Sequence, residues 1–210
     1  MDSCFDENLW TKKTIEKGRI LFLEGDPGDN IYYILEGAIK VFILTSSGRE
    51  NILALLGPGD FLGEMSIIDE KPRSATAQAL EKSQVLVLNR TLFATQIKEN
   101  PSIAFRIIQI LVERLRQTNQ QLLFQVCKTA RQRVGKAILD LAEKFGRNTD
   151  EGILINLRIT HQDLAAYAGV ARETATRMVQ DFLNSNLLKI NPKNCLIVTD
   201  LEEFRMTVFE

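Results

Sequence analysis

From Gly18 to Arg90 the chain runs in short apolar stretches: Ile20–Leu23, Ile31–Leu35, Ile39–Leu44, Ile52–Leu56 and Val85–Leu88. Polar turns carrying Gly25, Gly28, Gly37, Gly48, Gly57 and Gly59 separate them. Stretches of this length at about ten-residue spacing, broken by Gly, Pro, Asp and Asn, predict an antiparallel sandwich or barrel. Beyond Pro101 the texture changes. Glycine is absent up to Gly135 and helix formers dominate, with Ile107, Ile108, Leu111, Leu115, Leu122 and Leu123 supplying the apolar positions. The pattern predicts one long helix over 103–130, about 28 residues and about 42 Å. Ala104, Ile108, Leu111, Leu115, Thr118, Leu122 and Gln125 recur at alternating steps of four and three, the seam of a two-stranded coiled coil, and so predict a homodimer. The competing reading packs the same face on the chain's own barrel, which explains the Ile-rich start but not the seam running past it.

From Arg131 a second helical pattern runs to Phe145. It is followed by a loop from Gly146 to Gly152, a short strand Ile153–Leu157, two helices and a hairpin Leu187–Val198. That order predicts a winged helix-turn-helix. Thr160-His161-Gln162-Asp163 reads as a capping box and Gly169 as the tight turn. In the helix that follows, Ala175, Val179 and Phe182 share the inner face, leaving Arg172, Glu173, Thr176 and Arg177 outward. Asn191-Pro192-Lys193-Asn194 makes a polar wing tip with Lys189 and Lys193 nearby. The fold class is therefore α+β: an N-terminal antiparallel β-roll over 1–102, a dimerisation helix and hinge over 103–130, and a winged helix-turn-helix over 131–210.

Composition narrows the classes. A chain of 210 residues with 45% hydrophobic and 25% charged residues falls in the soluble globular range. Its longest apolar runs are far short of the roughly 20 residues of a membrane span, so no membrane partner is expected. The acidic start, Met1 to Glu7, has no basic or apolar signal region, which predicts a cytoplasmic protein. Cys4, Cys127 and Cys195 are odd in number and scattered, and read as reduced thiols. Residues 1–100 carry 11 Lys/Arg against 15 Asp/Glu, and 131–210 carry 11 of each. With a net charge of −1, nucleic-acid binding has to be argued from local sequence.

The most informative stretch runs from Phe61 to Ala77, with Gly63-Glu64-Met65-Ser66 followed by Arg73-Ser74-Ala75-Thr76-Ala77. A glycine admits close backbone approach, the turn of helix after it presents free N–H groups, and Arg73 offers a planar fork suited to a phosphodiester. Glu64 can accept from a sugar hydroxyl. Each residue alone also has a plain reading: Gly63 a turn, Glu64 and Arg73 a surface ion pair, Ser74 a strand residue. Thr118 has two readings. Its hydroxyl in an apolar seam either meets a ligand or satisfies its own helix and fixes register. On the outer helix face, Arg172, Glu173 and Arg177 read either as base contacts or as a solvated face with a Glu173 to Arg177 ion pair.

Taken together, the Gly-Glu-Met-Ser and Arg-Ser-Ala-Thr-Ala segments resemble the phosphate-binding cassette of cyclic-nucleotide-binding domains. Over about residues 15–200 the chain resembles the cyclic AMP receptor protein (catabolite activator) and fumarate-nitrate regulator family of bacterial transcription regulators. The resemblance implies a cyclic nucleotide effector, cyclic AMP foremost, and no metal, haem or iron–sulfur cluster. Glu64 would take the ribose 2′-hydroxyl and Arg73 with Ser74 the cyclic phosphate. Gly63 and its neighbours Met65, Ser66 and Ala75 complete the cassette, while Thr118 and Asn119 read the base. The family's best-known members have Ser where Asn119 stands. The resemblance also implies double-stranded DNA, a second copy of the chain and RNA polymerase as partners. Arg172, Glu173, Thr176 and Arg177, with Thr160 and Lys193, would meet a palindrome with TGTGA-like half-sites. Ala171 stands where the family often has a capping Ser. Catalysis is not expected, because His161 is the only histidine and has no nucleophile beside it. Two alternatives share the scaffold. One is a regulator answering a different small molecule or a redox signal, of which a haem or iron–sulfur sensor would need Cys or His ligands in the effector domain, where only Cys4 is available. A regulatory module acting on a protein partner would have no use for the wing.

Overall fold

The computed structural model describes residues 9–127 and 129–209, the side chains of 120, 121 and 123–127 excepted. Two compact units emerge, 1–44 with 53–120 and 45–52 with 121–210. The N-terminal part holds strands β1 (Thr11–Ile15), β2 (Ile20–Phe22), β3 (Asn30–Glu36), β4 (Ile39–Leu44), β5 (Glu50–Leu56, its first three residues grouped with the second unit), β6 (Phe61–Leu62), β7 (Thr76–Ala79) and β8 (Ser83–Asn89). They form two four-stranded sheets, ordered β1-β8-β3-β6 and β2-β7-β4-β5. Strand β3 shows why the apolar runs are continuous. Ile31 and Tyr33 enter a cluster with Trp10, Phe61, Leu88, Phe93, Ile103 and Ile107, whereas Tyr32 and Ile34 face Ile15, Ile39, Leu56, Leu62 and Val85. Both faces of the strand are covered, so neither tolerates a polar position.

Helix α1 (Glu64–Asp69) follows β6 directly, and α2 (Arg90–Glu99), which the apolar pattern did not predict, follows β8. Asn89 starts α2 by accepting from the Leu92 N–H at 2.9 Å. Helix α3 (Ser102–Cys127) has 26 residues, fewer than expected. A complete capping box begins the next helix: Thr129 accepts from the Gln132 N–H at 3.3 Å, and Gln132 accepts from the Thr129 N–H at 3.1 Å.

The apolar positions of α3 divide between the core of its own unit and the exposed surface. Ile103 and Ile107 are buried in the unit's own core, and Leu111 packs against it. The exposed apolar stripe is Phe105, Ile108, Val112, Leu115 and Leu122, with Asn119 at the vacant step between the last two. Of the expected seam positions, Ile108, Leu115, Thr118 and Leu122 are exposed, while Ala104 and Leu111 are half-buried and Leu111 packs against that core. The Gln125 side chain lies outside the described residues.

In the C-terminal part, α4 (Ala130–Phe145), α5 (His161–Ala168), α6 (Arg172–Asn184) and α7 (Leu201–Phe209) accompany a sheet ordered β11-β12-β10-β9. Its strands are β9 (Gly146–Thr149), β10 (Gly152–Ile155), β11 (Leu188–Ile190) and β12 (Leu196–Val198). The expected loop from Gly146 to Gly152 is therefore mostly hairpin. Ala175, Val179 and Phe182 are buried as the helical spacing predicts. Phe182 packs on Phe204 of the unpredicted α7, with ring centroids 5.0 Å apart. Gly169 ends α5 at φ 64. At Thr160 the hydroxyl accepts from the Asp163 N–H at 3.0 Å and donates to the Asp163 carboxylate at 2.6 Å. Cys195 is a half-buried free thiol, while Cys4 and the Cys127 side chain lie outside the described residues.

Candidate functional site

The segment from β6 to β7 concentrates charge in the N-terminal unit. Gly63 precedes α1 at φ +81, and a Cβ there would fall 2.4 Å from Arg73 Nη1, so both the backbone and the room require glycine. Arg73 is only 4% exposed. Its Nη1 donates to the Gly63 carbonyl at 2.8 Å and its Nη2 to the Asn30 carbonyl at 2.7 Å. The guanidinium also stacks on Phe22 at 4.3 Å from the ring centroid. Burial pulls the Arg73 pKa below its ordinary value, opposed by Tyr32, Asp29, Glu64 and Asp26. Burial likewise raises the Tyr32 phenol, and Arg73 offsets part of that.

Glu64, the first residue of α1, is 1% exposed. Its Oε1 accepts from Arg114 Nη1 of α3 at 2.6 Å, and Arg114 also donates to the Phe61 carbonyl. The second oxygen, Oε2, is buried and has no hydrogen-bond partner among the described residues. Such an acceptor is costly unless something donates to it. The structure thus brings Gly63, Glu64 and Arg73 together. Ser66 and Ala75 are buried beside them in sequence. Ser74 is exposed and its hydroxyl points to Met65 Sδ at 3.7 Å. Thr118 and Asn119 are exposed on α3, one turn beyond Arg114.

On α6, Arg172, Glu173, Thr176 and Arg177 line one exposed depression with Gln180 and Asp181. Glu173 and Arg177 form no ion pair with each other among the described residues. Thr176 Oγ1 meets His161 Nδ1 of α5 at 2.9 Å, tying the two helices of the motif. Ala171 caps α6 without a side-chain hydrogen bond. Thr160 spends its hydroxyl on the α5 cap, and Lys193 projects from the wing turn. Sequence reasoning missed Arg114 and Arg90. The first has a signal, its place one helical turn before Thr118 on a helix expected to face the cassette. The second has none, because its partners, the carbonyls of Gly28 and Ser66 and the carboxylates of Asp29 and Glu70, all stand far from it in the sequence.

Residues 12–100 match the cyclic nucleotide-binding domain family and residues 132–206 the Crp-like helix-turn-helix domain family. The CRP-like cAMP-activated global transcriptional regulator of Mycobacterium tuberculosis is 32% identical over 181 residues, 86% of this chain and 81% of that protein. The cyclic AMP receptor protein of Thermus thermophilus is 33% identical over 185 residues, 88% of this chain and 82% of that protein. Among solved structures, FixK2 of Bradyrhizobium japonicum superposes with a TM-score of 0.84 at 20% identity, covering 94% of this chain and 96% of that one.

Proposed function

The chain belongs to the CRP/FNR family of transcription regulators, a family of DNA-binding proteins, not enzymes, and from that premise we propose a homodimer whose DNA binding is controlled by cyclic AMP. The observation that carries the effector is Glu64 Oε2, a buried acceptor without a donor, set close to a buried arginine. A ribose hydroxyl supplies the donor Glu64 lacks. Arg73 commits two of its N–H groups to carbonyls and retains donors for a cyclic phosphate, which Ser74 reaches by rotating away from Met65. The two relatives named for cyclic AMP support the choice of base.

Two copies of α3 meet along Phe105, Ile108, Val112, Leu115 and Leu122, a stripe too apolar to favour water and spaced as a coiled-coil seam. Thr118 and Asn119 then lie at the junction of cassette and seam, where a base is read. Residues 1–102 sense, 103–130 couple and 131–210 bind DNA. Arg172, Glu173 and Arg177 read base edges in two major grooves about one helical turn apart, with Thr160, Thr176 and Lys193 at their margin. Bound DNA presents the regulator to RNA polymerase in the cytoplasm.

Calorimetric titration with cyclic AMP and cyclic GMP, on wild type and Arg73→Ala, tests the effector. Wild type should prefer cyclic AMP, and Arg73→Ala should lose about 2–5 kcal/mol of binding while remaining folded and dimeric. Equal affinity in the variant overturns the assignment.

A further inference from the structure

Behind Arg73 stands another arginine. Arg90 opens α2, and its Nη2 donates to the carbonyls of Gly28 and Ser66, both at 3.0 Å. Its Nη1 lies 3.4 Å from Glu70 Oε1 and its Nη2 3.7 Å from Asp29 Oδ1. The Arg90 N–H also donates to the Asp29 carbonyl at 2.9 Å. One residue therefore grips both the turn at Gly28–Asn30 and the helix α1. These are the two pieces that Arg73 itself spans, since its acceptors are Asn30 in the turn and Gly63 before α1.

The grip matters because α1 has little stability of its own. It is six residues long and bracketed by left-handed backbone at Gly63 and at Glu70, where φ is 59. A helix that short does not persist without outside contacts, so the groups that hold it set its position. Turn and helix are in close contact: a Cβ on Gly28 would fall 2.1 Å from Ser66 Cβ. Only a planar fork reaches two carbonyls and two carboxylates from one stem; the point charge of a lysine does not.

We propose that Arg90 is a positioning residue of the phosphate site: it clamps the Gly28–Asn30 turn to α1 at the spacing where Arg73 and the cassette converge on one anion. The same clamp joins the cassette to α2, which leads through Asn100 and Pro101 into α3. This inference rests on the cyclic-nucleotide reading.

The test uses the full chain as wild type, Arg90→Gln and Arg90→Lys, titrated with cyclic AMP and with its Rp and Sp phosphorothioates, alongside thermal unfolding. The two diastereomers differ only in which exocyclic position carries sulfur, so their affinity ratio reports the geometry around the phosphate. Arg90→Gln should raise the cyclic AMP Kd roughly tenfold and bring the ratio toward one, with Arg90→Lys between. A variant that melts earlier but keeps the wild-type Kd and ratio reduces Arg90 to a structural staple and overturns the proposal. Failure of Arg90→Gln to fold transfers the comparison to Arg90→Lys. Wild type that binds none of the three nucleotides overturns the effector reading and this proposal with it, an outcome distinct from binding that ignores position 90.

Discussion

Among the described residues, Arg73 is nearly enclosed yet held by main-chain carbonyls and an aromatic face, with no carboxylate in contact. Its charge is thus only partly answered within the chain, as an anion-binding residue requires. Arginine and glycine at this spacing were readable from sequence because their chemistry and backbone demands are local. The pairing of Glu64 with Arg114 was not, since fifty residues separate them. Ala171 offers a test on the same scale. Its backbone is extended, as an N-cap requires, but it lacks a side-chain acceptor. Ala171→Ser should stabilise the C-terminal unit by about 1 kcal/mol, read as a higher denaturant midpoint at unchanged slope. No change would mean that the free N–H groups of α6 are already well satisfied by water.

At the scale of elements, α3 carries two stripes one residue out of phase, one turned to its own core and one to the outside. Periodicity found a single seam from Ala104 to Gln125, whose Ile108, Leu115 and Leu122 also lie on the exposed stripe, and spacing alone does not fix the neighbours that complete it. Packing of Leu111 against the N-terminal core decides it. Asn119 then interrupts the outer stripe, and a single polar seam residue fixes register at a cost in stability. Asn119→Leu should tighten the dimer by roughly 1.5–3 kcal/mol per chain, the burial of one leucine. Sedimentation equilibrium that shows a weaker dimer would place Asn119 outside the seam.

Helix α4 supplies a pH signature. Burial raises the Asp140 carboxyl above its ordinary 3.8, with Lys136 and Tyr167 opposing and Glu143 adding to the rise. The folded chain therefore holds this proton more tightly than the unfolded one. The stability it confers is full below 3.8 and drains as pH climbs through the raised folded value. Asp140→Asn should flatten that decline in urea unfolding followed from about pH 4 to 7; an unchanged slope would assign the decline to another group.

For the whole molecule, the question is how an occupied cassette changes affinity for DNA. A ligand shifts an equilibrium only by its differential affinity for the two states, and on the proposed reading Thr118, one turn from Arg114 on α3, carries that difference. Thr118→Val keeps the shape and removes the hydroxyl. Cyclic AMP should still bind through Arg73 and Ser74, while the gain in DNA affinity on saturation with nucleotide should fall at least several-fold, as loss of a coupling of 1–3 kcal/mol requires. DNA binding measured with and without nucleotide checks it, and a full wild-type gain would move the switch elsewhere.

Sequence alone determined the β-roll, the long helix and the winged motif, because each depends on local backbone preference or short-range periodicity. The inward face of α6 and the cap at Thr160 belong to the same class. Only the tertiary structure decided which stripe of α3 stays exposed, that α2 and α7 close the two cores, that Glu64 pairs with Arg114, and that Arg90 bridges the turn at Gly28 and α1. These depend on side chains meeting backbone or charge across long separations, where no sequence period exists to read and where burial converts a solvated group into one that must find a partner.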